Sequence, residues 1–245
     1  MELTLERRRP ITSSSQTISS DASLFTAPVW ERFAAIAAHE LRTPLTLQRS
    51  LLELALGGPN TEETAWRRVG ENVLNACAQQ ERLLDACLTL ARASHSVQRS
   101  ERSDLAAIAA DALQAHDLGD LDAVVVLEPA LTTGDPGLLE CLAGNLISNA
   151  IRHNNSGGLI ELRTHTALRR AVLSVTNTGP LIPPSEIRQI FQPFYRLPTG
   201  RSLSDGAGLG LAIVHAIARA HHAVVTAQPR SGGGLTITIA FKPLA

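Results

Sequence analysis

A chain of 245 residues with net charge −1, 44% hydrophobic and 3% aromatic, has room for one or two globular domains whose cores are built from Leu, Ala, Val and Ile. The near-neutral charge gives no bulk electrostatic case for nucleic acid or an anionic membrane surface as partner. No apolar run approaches the roughly 18–20 residues that a membrane span requires, and Arg7-Arg8-Arg9 is followed by Ser/Thr-rich sequence where a secretory signal has its apolar stretch. Cys77, Cys87 and Cys141 are odd in number and lack CxxC spacing, so reduced thiols in a cytoplasmic setting are expected.

Residues 1–28 carry Pro10 and Pro28, are rich in Ser and Thr, and show no sustained periodicity; they read as a linker or flexible arm. An Ala/Leu-rich helix is predicted from Val29 to Leu56, with a bend at Pro44, which lacks the donor for the preceding turn. Gly57-Gly58-Pro59 ends it, and Asn60 with Glu63 has capping-box spacing for a second helix over residues 61–94. In that helix Val69, Val73, Ala76, Gln80, Leu83, Cys87 and Leu90 alternate spacings of four and three, a coiled-coil seam with one polar member. A narrow hairpin cannot bury both apolar faces alone, so a homodimer forming a four-helix bundle is expected. The alternative is that the same seam packs on the second domain of its own chain.

Residues 95–103 are polar and predict a linker, so the expected division is an arm at 1–28, a helical domain at 29–95, a linker at 96–104 and a second domain at 105–245. In the second domain Ser103 or Asp104 caps a helix from Leu105 to Leu118, and Ala123–Glu128 is a β-branched run. Gly134-Asp135-Pro136 opens another helix. Strands are predicted near Leu159–Thr166 and Ala171–Thr176, then a helix from Gly208 to Ala220 and a closing hairpin of His222–Gln228 with Leu235–Phe241. The fold class is α+β: a helical hairpin followed by an α/β sandwich with helices on one face of a mixed sheet.

The helix after Pro136 carries a polar stripe on an otherwise apolar surface. Asn145 and Asn149 are four apart and share a face, which Arg152 and His153 continue. An amide carbonyl is a hard oxygen donor suited to Mg²⁺, and a guanidinium supplies fixed cationic donors for phosphate oxygens.

Four other stretches at fixed order complete a resemblance. His39-Glu-Leu-Arg-Thr-Pro-Leu45, with Phe33 upstream, is similar to the phosphoacceptor box of sensor histidine kinases. Asn145–Ala150 resembles their asparagine box, Asn177-Thr-Gly-Pro-Leu-Ile-Pro183 their first glycine box, Phe191-Gln-Pro-Phe-Tyr-Arg196 their phenylalanine box, and Gly206-Ala-Gly-Leu-Gly-Leu211 their second glycine box. The resemblance implies an ATP-dependent protein histidine kinase of a two-component system, in which an ATP-binding sandwich phosphorylates His39 and an aspartate on a response-regulator receiver domain then takes the phosphoryl group. Regulator phosphatase activity goes with the Glu40-x-x-Thr43 pattern.

A neutral imidazole is nucleophilic, and Glu40 beside it could take up the proton lost on phosphorylation. Thr43, one turn on, could orient a water for hydrolysis. The resemblance implies that Asn149 holds Mg²⁺, with Asn145, Arg152, His153, Gly179, Gly206, Gly208, Leu209 and Gly210 around ATP and Leu197–Ala207 as a lid anchored by Phe191, Phe194 and Tyr195. The sequence departs from the family in its first glycine box, with Asn177 where Asp is usual and Leu181 where a second Gly is usual. A carboxamide can in principle pair with both N6–H₂ and N1 of adenine, and that two-point reading is expected of Asn177. Leu181 is expected to crowd or pack on the base. These departures raise the alternative of a pseudokinase, a regulatory scaffold that binds nucleotide weakly.

Overall fold

The computed structural model describes residues 16–18, 27–57, 63–94, 100–197 and 207–244. Helices α1 (Ala27–Gly57) and α2 (Glu63–Ser94) form the hairpin. The buried stripe of α1 runs through Phe33, Ala37, Gln48 and Ala55, with Leu41, Pro44 and Leu51 half-buried between them. Those spacings of three and four keep one face toward α2. Pro44 lies inside α1, and the turn before it gains side-chain donors. Thr43 Oγ1 donates to the His39 carbonyl at 3.1 Å and Thr46 Oγ1 to that of Arg42 at 3.0 Å. Gln80 Nε2, from α2, donates to the Leu41 carbonyl at 3.2 Å.

The expected seam of α2 is partly buried within this chain, with Val69, Val73, Gln80 and Cys87 half-buried. Ala76, Leu83 and Leu90 are buried, and Leu83, Ala86, Leu90 and Ala93 join one continuous core with residues of the second domain. The face left open is different: Trp66, Leu74, Leu84 and Leu88 on α2, with Leu45, Leu52 and Leu56 on α1. Leu83, Cys87 and Leu90 of the seam thus pack on the chain's own sandwich, the alternative raised from sequence, while Val69, Val73, Ala76 and Gln80 lie outside that shared core.

The sandwich begins earlier than its expected boundary. Strand β2 (Glu101–Asp104) pairs antiparallel with β4 (Leu131–Gly134), so the last four residues of the expected linker are domain structure. Asp104 then caps α3 (Leu105–Gln114) through the amide of Ala106, and this helix ends four residues short of the expected Leu118. Strand β3 (Asp122–Leu127), helix α4 (Pro136–Arg152), strands β5 (Leu159–Ala167) and β6 (Arg170–Asn177), helix α5 (Gly210–Ala220) and strands β7 (Val224–Pro229) and β8 (Leu235–Ala240) follow. The main sheet has the order β1-β7-β8-β6-β5-β3, where β1 is Gln16–Ile18, with β3 and β5 parallel and all other pairs antiparallel. Ile160, Leu162, Leu173, Val175, Ile237, Ile239, Val225 and Ala227 alternate onto the face covered by α3, α4 and α5. The other face is polar, with hydroxyl pairs Ser174–Thr238 at 3.1 Å and Thr176–Thr236 at 3.0 Å.

The edge strand β1 is Gln16–Ile18, antiparallel to β7. The arm expected to be without structure thus contributes a strand. The proposed cap by Asn60 and most of the expected lid, at 198–206, lie outside the described residues.

One buried histidine ties the ends of two helices together. His221 Nδ1 lies 2.8 Å from the Ile217 carbonyl, and its Nε2 accepts the Asp135 amide, at the N-cap of α4, at 3.0 Å. That pair of partners requires a neutral ring with its hydrogen on Nδ1. A Cβ at Gly134 would sit 2.3 Å from the ring, so only glycine fits beneath it. Burial pushes the imidazole below its ordinary value, with the Ile217 carbonyl and the charge of Asp135 acting the other way and His222 reinforcing the shift. A histidine with a lowered folded pKa contributes stability that is full above about pH 6.5 and is lost as pH falls below it. In urea titrations from pH 7.5 to 5, His221→Phe should cost about 1–3 kcal/mol at pH 7.5, the scale of a stranded buried donor. The difference between parent and variant should narrow on acidification; a constant difference would refute the neutral-ring assignment.

Candidate functional site

Three segments meet at one end of the sandwich: the C-terminal half of α4, the loop after β6 and the start of α5. Asn145 is half-buried and its Nδ2 donates back to the Cys141 carbonyl at 2.8 Å, with the Cys141 thiol at 3.3 Å. Its amide is thereby aimed inward, and its Oδ1 faces Gly210, where a Cβ would lie 3.3 Å away. Asn149, one turn further, is also half-buried, and its side chain makes no hydrogen bond among the described residues. Arg152 and His153 are exposed at the end of the helix.

The loop after β6 is pinned to that helix end. Asn177 is 5% exposed, and its Nδ2 donates to the carbonyls of His153 at 3.2 Å and Thr178 at 2.6 Å. A primary amide has two N–H bonds, and both are now used. Two carbonyl oxygens so close fix the nitrogen on this side, so Oδ1 is left as an acceptor without a partner among the described residues. The two-point reading of adenine expected from sequence is therefore excluded: no hydrogen remains for N1. Leu181 is 71% exposed and does not fill the loop.

Gly179 is required by packing. A Cβ there would fall 2.2 Å from the His153 carbonyl oxygen. On its other side the β7–β8 turn closes in: Gly233 (φ +89°) would place a Cβ 2.2 Å from the Gly179 carbonyl, and Gly234 (φ +94°) one 2.0 Å from that of Asn177. Gly234 N–H also donates to Pro180 at 2.9 Å.

The start of α5 is open at its N-terminus. Leu209 occupies the N-cap with no side-chain cap, so the first amides of α5 lack a side-chain acceptor among the described residues. Gly208 has φ +69° and accepts the Phe194 amide at 2.9 Å, while a Cβ on it would meet the Tyr195 carbonyl at 2.9 Å. Phe194 itself has φ +63°. The phenolic hydroxyl of Tyr195 donates to Glu186, and that hydrogen bond, with burial and the carboxylate's charge, raises its pKa. Gly206 lies outside the described residues.

These groups fit a nucleotide. Uncapped amides at a helix start favour phosphate oxygens, the carboxamide oxygens of Asn145 and Asn149 are hard ligands, and a fixed acceptor at Asn177 suits an exocyclic amine. His39 and Glu40 are exposed on α1, as is Thr43. The structure does not gather them with the nucleotide groups; they stand on the hairpin. Between the two units Phe33 stacks on Phe194 at 5.4 Å, and Thr89 of α2 hydrogen-bonds Cys141 of α4. Burial, only partly opposed by bonds to Thr89 and Asn145, raises the Cys141 pKa. The sequence reading missed Cys141, although its place one turn before Asn145 was a usable signal.

Two family descriptions match this chain: "His Kinase A (phospho-acceptor) domain" over residues 29–96, and "Histidine kinase-, DNA gyrase B-, and HSP90-like ATPase" over residues 134–245. It is 41% identical to the sensor protein CutS of Streptomyces coelicolor over 215 residues, covering 85% of this chain and 52% of CutS. The Acinetobacter baumannii histidine kinase AdeS superposes with a TM-score of 0.66 at 24% identity, covering 84% of this chain and 98% of that one. The histidine kinase ThkA, solved in complex with the response regulator TrrA, superposes with a TM-score of 0.66 at 19% identity, covering 87% and 62%. The latter two bear on fold alone. A phosphoacceptor hairpin joined to an ATP-binding sandwich defines the class, and the chain belongs to the sensor histidine kinases of two-component systems. It spans about half the length of the curated relatives it matches. No helix among the described residues is long and apolar enough to cross a membrane.

The pinned amide of Asn177 yields a prediction opposite to the simple family logic. Asn177→Asp would set a carboxylate oxygen against two carbonyl oxygens and remove both donors. It should destabilise the fold by about 1–3 kcal/mol and leave ATP affinity unimproved, measured by thermal unfolding and by competition with a fluorescent ATP analogue. Tighter ATP binding by the Asp variant at undiminished stability would show that the amide is not pinned.

Proposed function

We propose that this chain autophosphorylates on His39 from ATP and passes the phosphoryl group to an aspartate on a response-regulator receiver domain. The observation that carries the reading is the convergence of Asn145 Oδ1, the free Asn177 Oδ1 and the uncapped start of α5 on one end of a sandwich that packs against the helix pair bearing an exposed His39.

In the transfer, a ring nitrogen of His39 forms a bond to the γ-phosphorus as the bond to the ADP oxygen breaks, and Glu40 accepts the proton released from the ring. Asn149 and, beside it, Asn145 would hold Mg²⁺, which when bound neutralises phosphate charge. Arg152 and His153 stand at the helix end to meet phosphate or sugar, and Gly208, Leu209 and Gly210 present backbone amides. Gly179 and the pinned Asn177 shape the base end, where Asn177 Oδ1 accepts from the adenine amine. Gly206 belongs to the same reading through its motif. Because Thr43 gives its hydrogen to the His39 carbonyl, its oxygen is left to accept a hydrogen bond from a hydrolytic water on the regulator's phosphoaspartate.

The open stripes Leu45, Leu52, Leu56 and Trp66, Leu74, Leu84, Leu88 support a homodimer closed as a four-helix bundle. ATP and receiver domains imply a cytoplasmic setting. Asn177 and Leu181 were the grounds for a nucleotide-poor scaffold, and an acceptor at one and an exposed side chain at the other favour the kinase reading.

With γ-labelled ATP and Mg²⁺, the parent should acquire acid-labile, base-stable label that His39→Gln lacks. Asn149→Asp should cut labelling by about 100-fold or more, as expected when a charge-stabilising contact is replaced by repulsion, with unchanged unfolding in the absence of nucleotide. Thr43→Ala should keep labelling and slow dephosphorylation of the regulator. Persistent label in His39→Gln would remove His39 as the acceptor.

A further inference from the structure

The chain upstream of the hairpin is tied to the nucleotide-binding sandwich. Gln16–Ile18 extends the main sheet beyond β7, with Gln16, Thr17 and Ile18 opposite Ala227, Thr226 and Val225. Ile18 is 5% exposed and belongs to the same core as α5 and β8. Gln16 Nε2 donates to the Pro184 carbonyl at 2.9 Å, in the short helical turn between the Asn177 loop and the Phe191 segment. Backbone pairing, an apolar anchor and a side-chain bond thus fall within three residues. The sheet edge they cover would otherwise offer unpaired amides and carbonyls.

The strand's position in the chain gives this contact a consequence. It precedes α1, so anything that moves the chain upstream of α1 acts first on a segment bound to the sandwich. His39 stays exposed in this arrangement, whereas phosphoryl transfer needs the reacting atoms within about 3–3.5 Å. Among the described residues the His39 side chain makes no hydrogen bond, ion pair or ring contact with the sandwich, so transfer calls for the sandwich to move toward that residue. Phe33 on Phe194, α5 on α2 and β1 on β7 all hold it where it is. Of these, only β1–β7 lies on the segment upstream of the hairpin.

We propose that Gln16–Ile18 is an intramolecular strap, an edge strand that parks the ATP-binding sandwich away from His39, and that releasing it from β7 permits autophosphorylation. The role in autophosphorylation rests on the kinase reading above, while the pairing itself does not. Three variants of the full chain test it. Ile18→Asp places a carboxylate in the buried anchor site, and removal of residues 1–19 deletes the strap. Thr17→Cys with Thr226→Cys, at directly opposed positions, locks it by a disulfide, with Thr17→Cys alone as control.

The first two should raise the initial rate of His39 labelling about fivefold or more, the shift given by losing about one net hydrogen bond, while binding a fluorescent ATP analogue as the parent does. The oxidised pair should label more slowly than the parent and recover with reductant. Unchanged rates in the released and locked variants would overturn the strap. So would a disulfide found between protomers on a non-reducing gel, since the strand would then be exchanged between copies. If Ile18→Asp fails to fold, the reductant-dependent rate of the locked pair decides. If the parent takes no label, the kinase reading fails by itself, and amide exchange of β7 in the deletion variant still tests the pairing: faster exchange supports it and parental exchange refutes it.

Discussion

Three backbone segments at the nucleotide end approach one another more closely than any side chain would allow, and the geometry of the site depends on that approach. The His153 carbonyl closes α4, Gly179 lies against it, and Gly233 and Gly234 of the β7–β8 turn lie against Gly179 and Asn177. Such contacts leave no room for a Cβ, and they bury backbone oxygens that need donors. Asn177 provides the donors. Its two N–H bonds go to two of those oxygens, one on α4 and one on its own loop. A carboxylate could not do this. The substitution that looked like a weakened base contact is therefore also a structural fastener, with the side chain split between a donor end that holds the loop and an acceptor end left open.

The same division between structure and ligand recurs at Asn145. Its Nδ2 is committed to Cys141 one turn earlier, which turns Oδ1 toward Gly210. In both residues a backbone bond chooses the orientation of the amide, so an oxygen is presented without the entropy of a free rotor. Asn149, without such a bond, keeps both ends of its amide available.

Much of this was legible in the sequence. The i, i+4 asparagines, the glycines around Leu209 and the HELRTPL segment carry the family resemblance through spacing along one helix or one loop, and spacing survives in a one-dimensional reading. Strands of the sandwich were readable for the same reason, apart from β2 and β4, whose short polar sequences alternate too weakly to be seen. What was not legible depended on partners distant in sequence. Nothing in Gln16-Thr17-Ile18 alone indicates that Val225 waits opposite Ile18. Nor does the Val69–Leu90 seam say which apolar surface it meets: the heptad pattern specifies a partner helix or core, not its owner. The two hydrogens of Asn177 were likewise unreadable without the fold, because their acceptors are defined by a chain crossing.

The hairpin carries a polar joint where its apolar stripe should be continuous. Gln48 is buried, and its Nε2 reaches Gln80 Oε1 at 3.2 Å, while Gln80 Nε2 reaches the Leu41 carbonyl at 3.2 Å. Both amides lie beside Pro44, whose missing N–H leaves the preceding turn of α1 short of one donor. Apolar residues at 48 and 80 would pack as well, but they would not reach the Leu41 carbonyl, and an apolar seam tolerates sliding more readily than an amide pair does. A buried polar pair fixes register at a cost in stability. The joint thus sets α1 and α2 in one alignment next to His39, on both sides of Pro44, because Leu41 precedes it and Gln48 follows it. Toward the open end of the hairpin from that joint, Phe33 meets Phe194 of the sandwich and α2 presents Leu83 to Ala93 to the core shared with α5. Both contacts of the hairpin with the sandwich therefore rest on helices whose alignment Gln48 and Gln80 fix, because Leu41, held by Gln80, lies on the Phe33 side of Pro44.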